Sequence, residues 1–290
     1  WSGTTDGPSS PGSLDIRNAT YSTLEHNYFH GWSSTIGSYD SNYSIVGTAE
    51  NVATHNAISY NVFDGSDAMH GTTTASNQCG TKTFNGPPCQ SGFAIYGDGY
   101  QLDHNVFRYL SNGIIGNNYY TIHDNLFEYM WNTYDGWNHP NIVESGLTAL
   151  TGTPTYFYNN VIANTHQNVG VWIIYDTAGY IFNNVWYYND DGASGVGGSP
   201  NINCLMLSPD TTSATPNLYI YNNTFASDDT VCQFNFFAGN YATPAWQGTA
   251  QVEKNHFIGA ATALSTMIDC GVSSCNAADN GGEVYQAVSA

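Results

Sequence analysis

Four side chains with acid–base potential occupy one place in a unit that the chain repeats. His30, Asp64, Arg108 and Glu128 each directly follow the Phe that closes the unit. Two carboxyl groups flanking a bond are the machinery of glycoside hydrolysis, one giving a proton and the other activating water. If successive units stack at about 4.8 Å, Asp64 and Glu128 stand about 9.6 Å apart. That is the upper edge of the about 6.5–9.5 Å used by inverting enzymes. The same column also reads as a charge ladder, with Arg108 relieving repulsion between two acids. A second candidate is the stretch from Tyr134 to Glu144. There Asp135 or Glu144 could serve as acid or base, His139 as orienting imidazole, and Tyr134 and Trp137 as rings for a sugar. A third lies at the unit's centre, where His104 meets Asp124 and Asp103 meets His123 in successive units, a crossed set suited to a metal or to proton transfer.

The repeat is what would bring these residues together. Leu24-Glu25-His26-Asn27-Tyr28-Phe29 is the first of eight such units, centred on Asn27, Asn61, Asn105, Asn125, Asn160, Asn184, Asn223 and Asn255. Apolar residues sit three before and two after each Asn, five positions apart. In a straight strand such residues face opposite sides, so both point inward only if the chain bends between them. Asn suits the bend: it tolerates left-handed backbone angles and its amide bonds to turn backbone. Stacked asparagines can also bond along a column. Each unit therefore reads as strand, Asn corner, strand. Asn105 and Asn125 are 20 residues apart, about the length of a minimal coil.

An apolar-x-x-Asn-x-Phe unit recurring through a Gly-, Asn- and Thr-rich chain resembles the right-handed parallel β-helix repeat of the pectate-lyase-like superfamily, over roughly residues 14–260. The resemblance implies an all-β chain, a single domain over 1–290, wound as a right-handed parallel β-helix of about eight coils with lateral loops. Residues 1–13 are then a polar leading segment, 14–260 the coils, and 261–290 a cap or assembly tail. It does not fix a function, because the scaffold carries lyases, glycosidases, epimerases, phage spikes, adhesins and fibres alike. Lyases of this fold typically use Lys or Arg as base, often with calcium. Here Arg17, Lys82, Arg108 and Lys254 are the only basic side chains. Asn189-Asp190-Asp191-Gly192 and Ser227-Asp228-Asp229 offer calcium only weak sites, short of a full oxygen-ligand loop; no cofactor is expected.

Charge excludes several partners. With 23 acidic residues and a net charge of −19, the chain is unsuited to nucleic acid, anionic membrane or polyanionic glycans. No apolar run approaches the length of a membrane span. Six cysteines predict disulfides and an oxidising compartment. Cys79–Cys89 and Cys270–Cys275 are expected as local loops, and Cys204–Cys232 as a bridge between neighbouring coils. Asn18, Asn42 and Asn222 each begin an Asn-x-Ser/Thr triplet, the acceptor signal for N-glycosylation.

These features predict a secreted or cell-surface structural protein, a subunit of a fibre formed with itself head to tail, and glycans as further partners. The strand-like Glu283-Val284-Tyr285 would add to a neighbour's first coil. The alternative is a secreted carbohydrate-active enzyme, hydrolase or lyase, or a glycan-binding adhesin.

Overall fold

The computed structural model describes residues 14–15, 19–30, 46–47, 55–65, 90–96, 100–116, 121–130, 141–145, 154–163, 170–173, 178–188, 203–207, 217–227, 233–236, 249–259, 268–269, 276–279 and 284–287. Every regular element among them is a β-strand. The strands form three sheets of nine, and each strand pairs with its counterparts in the preceding and following turns of the chain. The first sheet runs from Leu14–Asp15 to Ile268–Asp269, the second from Thr23–Glu25 to Asn276–Asp279, the third from Tyr28–His30 to Val284–Ala287. Pairing is parallel throughout, for example Ile122 with Leu102 and Phe157, and Phe127 with Phe107 and Ile162. All-β parallel strands stacked in this order are the arrangement of a β-solenoid.

The passage from the second sheet to the third explains the sequence unit. The eight unit asparagines sit at this corner, and all but the exposed Asn27 are buried. Asn105 shows the bonding: its Nδ2 donates to Ile58 O in the preceding coil (2.7 Å) and to Asn125 Oδ1 in the next (3.1 Å), where its backbone N–H also donates (2.9 Å). The side-chain link recurs from Asn27 to Asn61, Asn61 to Asn105, Asn125 to Asn160, Asn160 to Asn184, Asn184 to Asn223 and Asn223 to Asn255, at 3.0–3.1 Å. A buried amide thus finds partners for its polar atoms, which burial otherwise makes costly.

The bend itself is one residue earlier than the sequence suggests. His26, Tyr60, His104, Asp124, Asn159, Asn183, Asn222 and Lys254 carry the left-handed backbone, with φ of 53–59°. All eight are exposed. The outer residue takes the unfavourable angle, and the following Asn turns inward to bond. Four of the eight are Asn or Asp, the types that tolerate this region best.

Inside, the residues two after each Asn form a column of rings. Phe29, Phe63, Phe107 and Phe127 stack at 4.8–5.0 Å with planes within 8°. The unit of Asn160 reverses the pattern, with Phe157 before the Asn and Ile162 after it, and Phe157 fills the column from the other side. It lies 6.1 Å from Phe127 and 6.0 Å from Trp186, tilted to both. The column then continues through Phe225 to Phe257. Exchanging the large and small positions conserves core volume, the kind of change that packing tolerates best.

The three sheets hold one strand more than the eight units. The additional set is Ile268–Asp269, Asn276–Asp279 and Val284–Ala287. Val284–Ala287 pairs with His256–Gly259 of its own chain, so the segment expected to reach a neighbour's first coil is already bound on one edge at home.

Candidate functional site

The third sheet brings His30, Asp64, Arg108 and Glu128 into one register column: His30 pairs with Asp64, Asp64 with Arg108, and Arg108 with Glu128. The side chains are not arranged for hydrolysis. Arg108 binds Asp64 Oδ2 through Nε at 2.8 Å and Nη2 at 2.7 Å, and Tyr28 Oη donates to the same oxygen at 2.8 Å. Arg108 Nη1 reaches Glu128 at 4.0 Å. An inverting pair needs open space for water and substrate between its carboxyl groups; the guanidinium stands in that space. The Asp64 side chain is only 3% exposed and its charge is compensated on the spot. Burial, then the bond to Asp64, pushes the Tyr28 phenol up, so it stays a donor. Burial works against the Arg108 cation, but the bonds and charge of Asp64 outweigh it and hold the guanidinium protonated.

This geometry gives a stability test. Arg108→Met takes the counter-ion from a buried carboxylate, and a loss of about 3 kcal/mol is expected. Urea titration checks it: adding Asp64→Asn should recover much of the loss, since the double variant buries no charge there.

The corner histidines pair along the chain and not across coils. His104 Nδ1 lies 2.9 Å from Asp103 Oδ1, and His123 Nδ1 lies 2.7 Å from Asp124 Oδ2. A left-handed corner sets consecutive side chains beside each other, whereas a strand would point them apart. Across the coils, His104 and His123 meet edge to face at 6.4 Å. Among the described residues, no three His, Cys, Asp or Glu side chains gather as a metal site requires. Burial pushes the Asp103 carboxyl up, but bonds from His104, Ser59 and Gln101, with the nearby His123, outweigh it and hold it below the ordinary range. A depressed carboxyl stabilises the fold fully above its unfolded pKa of about 4. That contribution fades as pH falls through the folded value. Ser59→Ala, which removes the 2.9 Å bond to Asp103, should therefore weaken the fold more at pH 7 than once Asp103 is protonated, when only a neutral bond is lost, as acid-titrated circular dichroism would read.

One feature of the outer surface escaped the sequence reading. On the second sheet, Tyr156, Tyr180 and Tyr219 stack at 4.7–5.0 Å, and beside them His123, Tyr158, Phe182 and Tyr221 stack at 4.8–5.0 Å. The signal was present as alternate aromatics in Thr155–Tyr158 and Asn217–Tyr221. Within each column the rings turn their faces to each other, so edges and hydroxyls meet the solvent. A flat ring face for sugar stacking is not offered there. Burial first, then neighbouring acids or phenols, pushes the Tyr158, Tyr180 and Tyr221 hydroxyls up and keeps them protonated.

Several expected residues lie outside the described part of the chain: Tyr134, Asp135, Trp137 and His139, the cysteines 79, 89, 232, 270 and 275, Asn18, Asn42, and residues 189–192 and 228–229. Glu144 lies in the strand Asn141–Ser145 of the first sheet, paired with Ile115 and Trp172. Cys204 lies in Asn203–Leu207, at a register shift opposite Gln233 and Phe234. Among the described residues, no helix is long and apolar enough to cross a membrane. Comparison with family models, with curated proteins and with solved structures finds no match to this chain. The functional reading therefore rests on its own geometry.

Proposed function

We propose that this chain is an extracellular structural protein, a single-domain right-handed β-helix whose copies associate end to end into a fibre or cell-surface assembly. The observation that carries this reading is the state of the sheet ends. Each of the three sheets stops at a strand that has a partner on one side only, among the described residues: Tyr28–His30 at one end of the third sheet and Val284–Ala287 at the other. The outer edge of such a strand is a row of backbone donors and acceptors, a template for another chain. Solenoids that stay single cover these ends with dedicated caps. Among the described residues nothing pairs with the outer edge of Val284–Ala287.

The asparagine column adds direction. Every link donates from one coil to the next toward the C-terminus, so the two ends differ chemically, and a head-to-tail order is the one that keeps strand pairing parallel, as it is within the chain. A contact of that kind grows without closing. The binding of Asp64 by Arg108 supports the same reading by removing the best carboxylate pair from catalysis.

Sedimentation across protein concentration is the test. Association should rise with concentration and with ionic strength, which screens the net charge of −19 that opposes contact between copies. A monomer at every concentration and salt level refutes the proposal, and glycan cleavage lost on Asp135→Asn or Glu144→Gln would put a hydrolase in its place.

A further inference from the structure

We propose that Asn222 carries an N-linked glycan, set on the side of the solenoid. Asn159, Asn183 and Asn222 occupy the same left-handed corner place in successive coils, with φ of 55°, 58° and 56°. All three are exposed, and each precedes a buried unit asparagine. What separates them is the third residue. Val161 follows the first pair and Val185 the second, while Thr224 follows the third. Only Asn222-Asn223-Thr224 has the hydroxyl residue that the acceptor signal needs.

The fold agrees with the triplet, whose first asparagine is the acceptor. Asn223 is 1% exposed, and its Nδ2 donates to Ile181 O at 2.9 Å and to Asn255 Oδ1 at 3.0 Å. Its amide is spent inside the column. Asn222 faces solvent, and no side-chain bond holds its amide among the described residues. Thr224 takes a half-buried place on the third sheet between Val185 and His256. In the earlier coils this place holds Tyr28, Val62, Val106, Leu126, Val161 and Val185. Thr is a good strand former, so the substitution keeps the strand and writes the signal at no structural loss.

The reaction is a glycosyl transfer. The Asn222 amide nitrogen bonds to the anomeric carbon of an oligosaccharide carried on a lipid phosphate or pyrophosphate. The carbon–oxygen bond to that phosphate breaks, the nitrogen gives up one proton, and the lipid phosphate leaves. The product is a bulky, solvated branch beside Tyr221, where one of the two outer ring columns ends. A branch on the side of the coil obstructs sheet-to-sheet contact along that corner, while the strand edges at the two ends face along the axis. Head-to-tail growth without lateral clumping is the consequence. The inference rests on the secreted reading above, since the transfer needs an export route.

Peptide mass mapping of the protein from its native source tests this directly. The peptide containing Asn222 should bear a glycan mass, and peptide N-glycosidase treatment should release the sugar and leave aspartate at that position. A native peptide with an unmodified Asn222 overturns the proposal. Variants made in an N-glycosylating secretion host give a second arm. Thr224→Val should lose the glycan at Asn222, and Val185→Thr should gain one at Asn183, because both exchanges use residues the column already contains. A glycan that persists through Thr224→Val, or none gained at Asn183, contradicts the assignment to this corner. An assembling protein with a bare Asn222 removes the glycan and leaves the fibre; a glycosylated monomer does the reverse.

Discussion

Asn125→Asp is expected to destabilise the chain by about 4 kcal/mol at pH 7, although it exchanges one side chain for another of the same shape. Asn125 is 2% exposed. Its Oδ1 accepts from Asn105 N at 2.9 Å and Asn105 Nδ2 at 3.1 Å, and aspartate can keep both bonds. Its Nδ2 lies 2.9 Å from Leu102 O, 2.9 Å from His123 O and 3.0 Å from Asn160 Oδ1. A second carboxylate oxygen in that place meets three acceptors and no donor. The ionised form is therefore disfavoured, and the folded pKa of the new carboxyl lies above its unfolded value. By linkage the loss is smallest below about pH 4 and grows as pH rises through the folded pKa. Asn125→Ala removes the side chain without adding charge, so its loss of about 3 kcal/mol should be the same at both pH values. Urea midpoints for the two variants at pH 4 and pH 7 separate the cases.

The second large effect concerns the core. Phe127 is fully buried, 4.8 Å from Phe107 and 6.1 Å from Phe157. Phe127→Ala should cost about 4 kcal/mol, from lost transfer energy and from a cavity that neighbours stacked on both sides cannot close. Phe127→Leu should cost less than half of that. The damage should also be local at first, because each coil of a solenoid contacts only its neighbours. Hydrogen exchange is then expected to rise in Val106–Arg108 and Val161–Ala163 before the strands near either end. A uniform rise across all strands would show instead that the coils unfold as one unit.

The legibility of the fold follows from where the information sits. The five-residue separation of apolar positions, read with an Asn between them, was sufficient for parallel stacked strands, because only a bend makes both positions inward. The reversed pair Phe157 and Ile162 kept that reading because either order fills the column. The position of the left-handed residue was misjudged by one: both residues of Asn159-Asn160 and Asn183-Asn184 are Asn, and type alone does not say which turns outward. Tyr60 and Lys254 adopt the strained angle against their own preference, since the inward bonding of the next residue decides it.

The last strand set was hidden for a geometric reason. Val252 pairs with Asp279 and His256 with Val284, so four residues separate the paired positions where three separate them in the coil before. One added residue breaks the unit's spacing, and no Asn falls where the column would continue. Columns of side chains were legible as columns, which placed Asp64, Arg108 and Glu128 together. The partners within them were not. Register gives adjacency, but the Arg108 guanidinium chooses the buried carboxylate over the half-buried one, and the corner histidines bond to their sequence neighbours because the backbone turns there.

Electron microscopy of the native protein tests the central claim most directly. Nine strands per sheet at about 4.8 Å each give an axial length of about 43 Å per copy. Filaments whose subunits repeat at about that rise, with strands perpendicular to the axis, are the expected result. Dispersed monomers, or filaments whose rise is unrelated to nine stacked strands, would contradict end-to-end association of this solenoid.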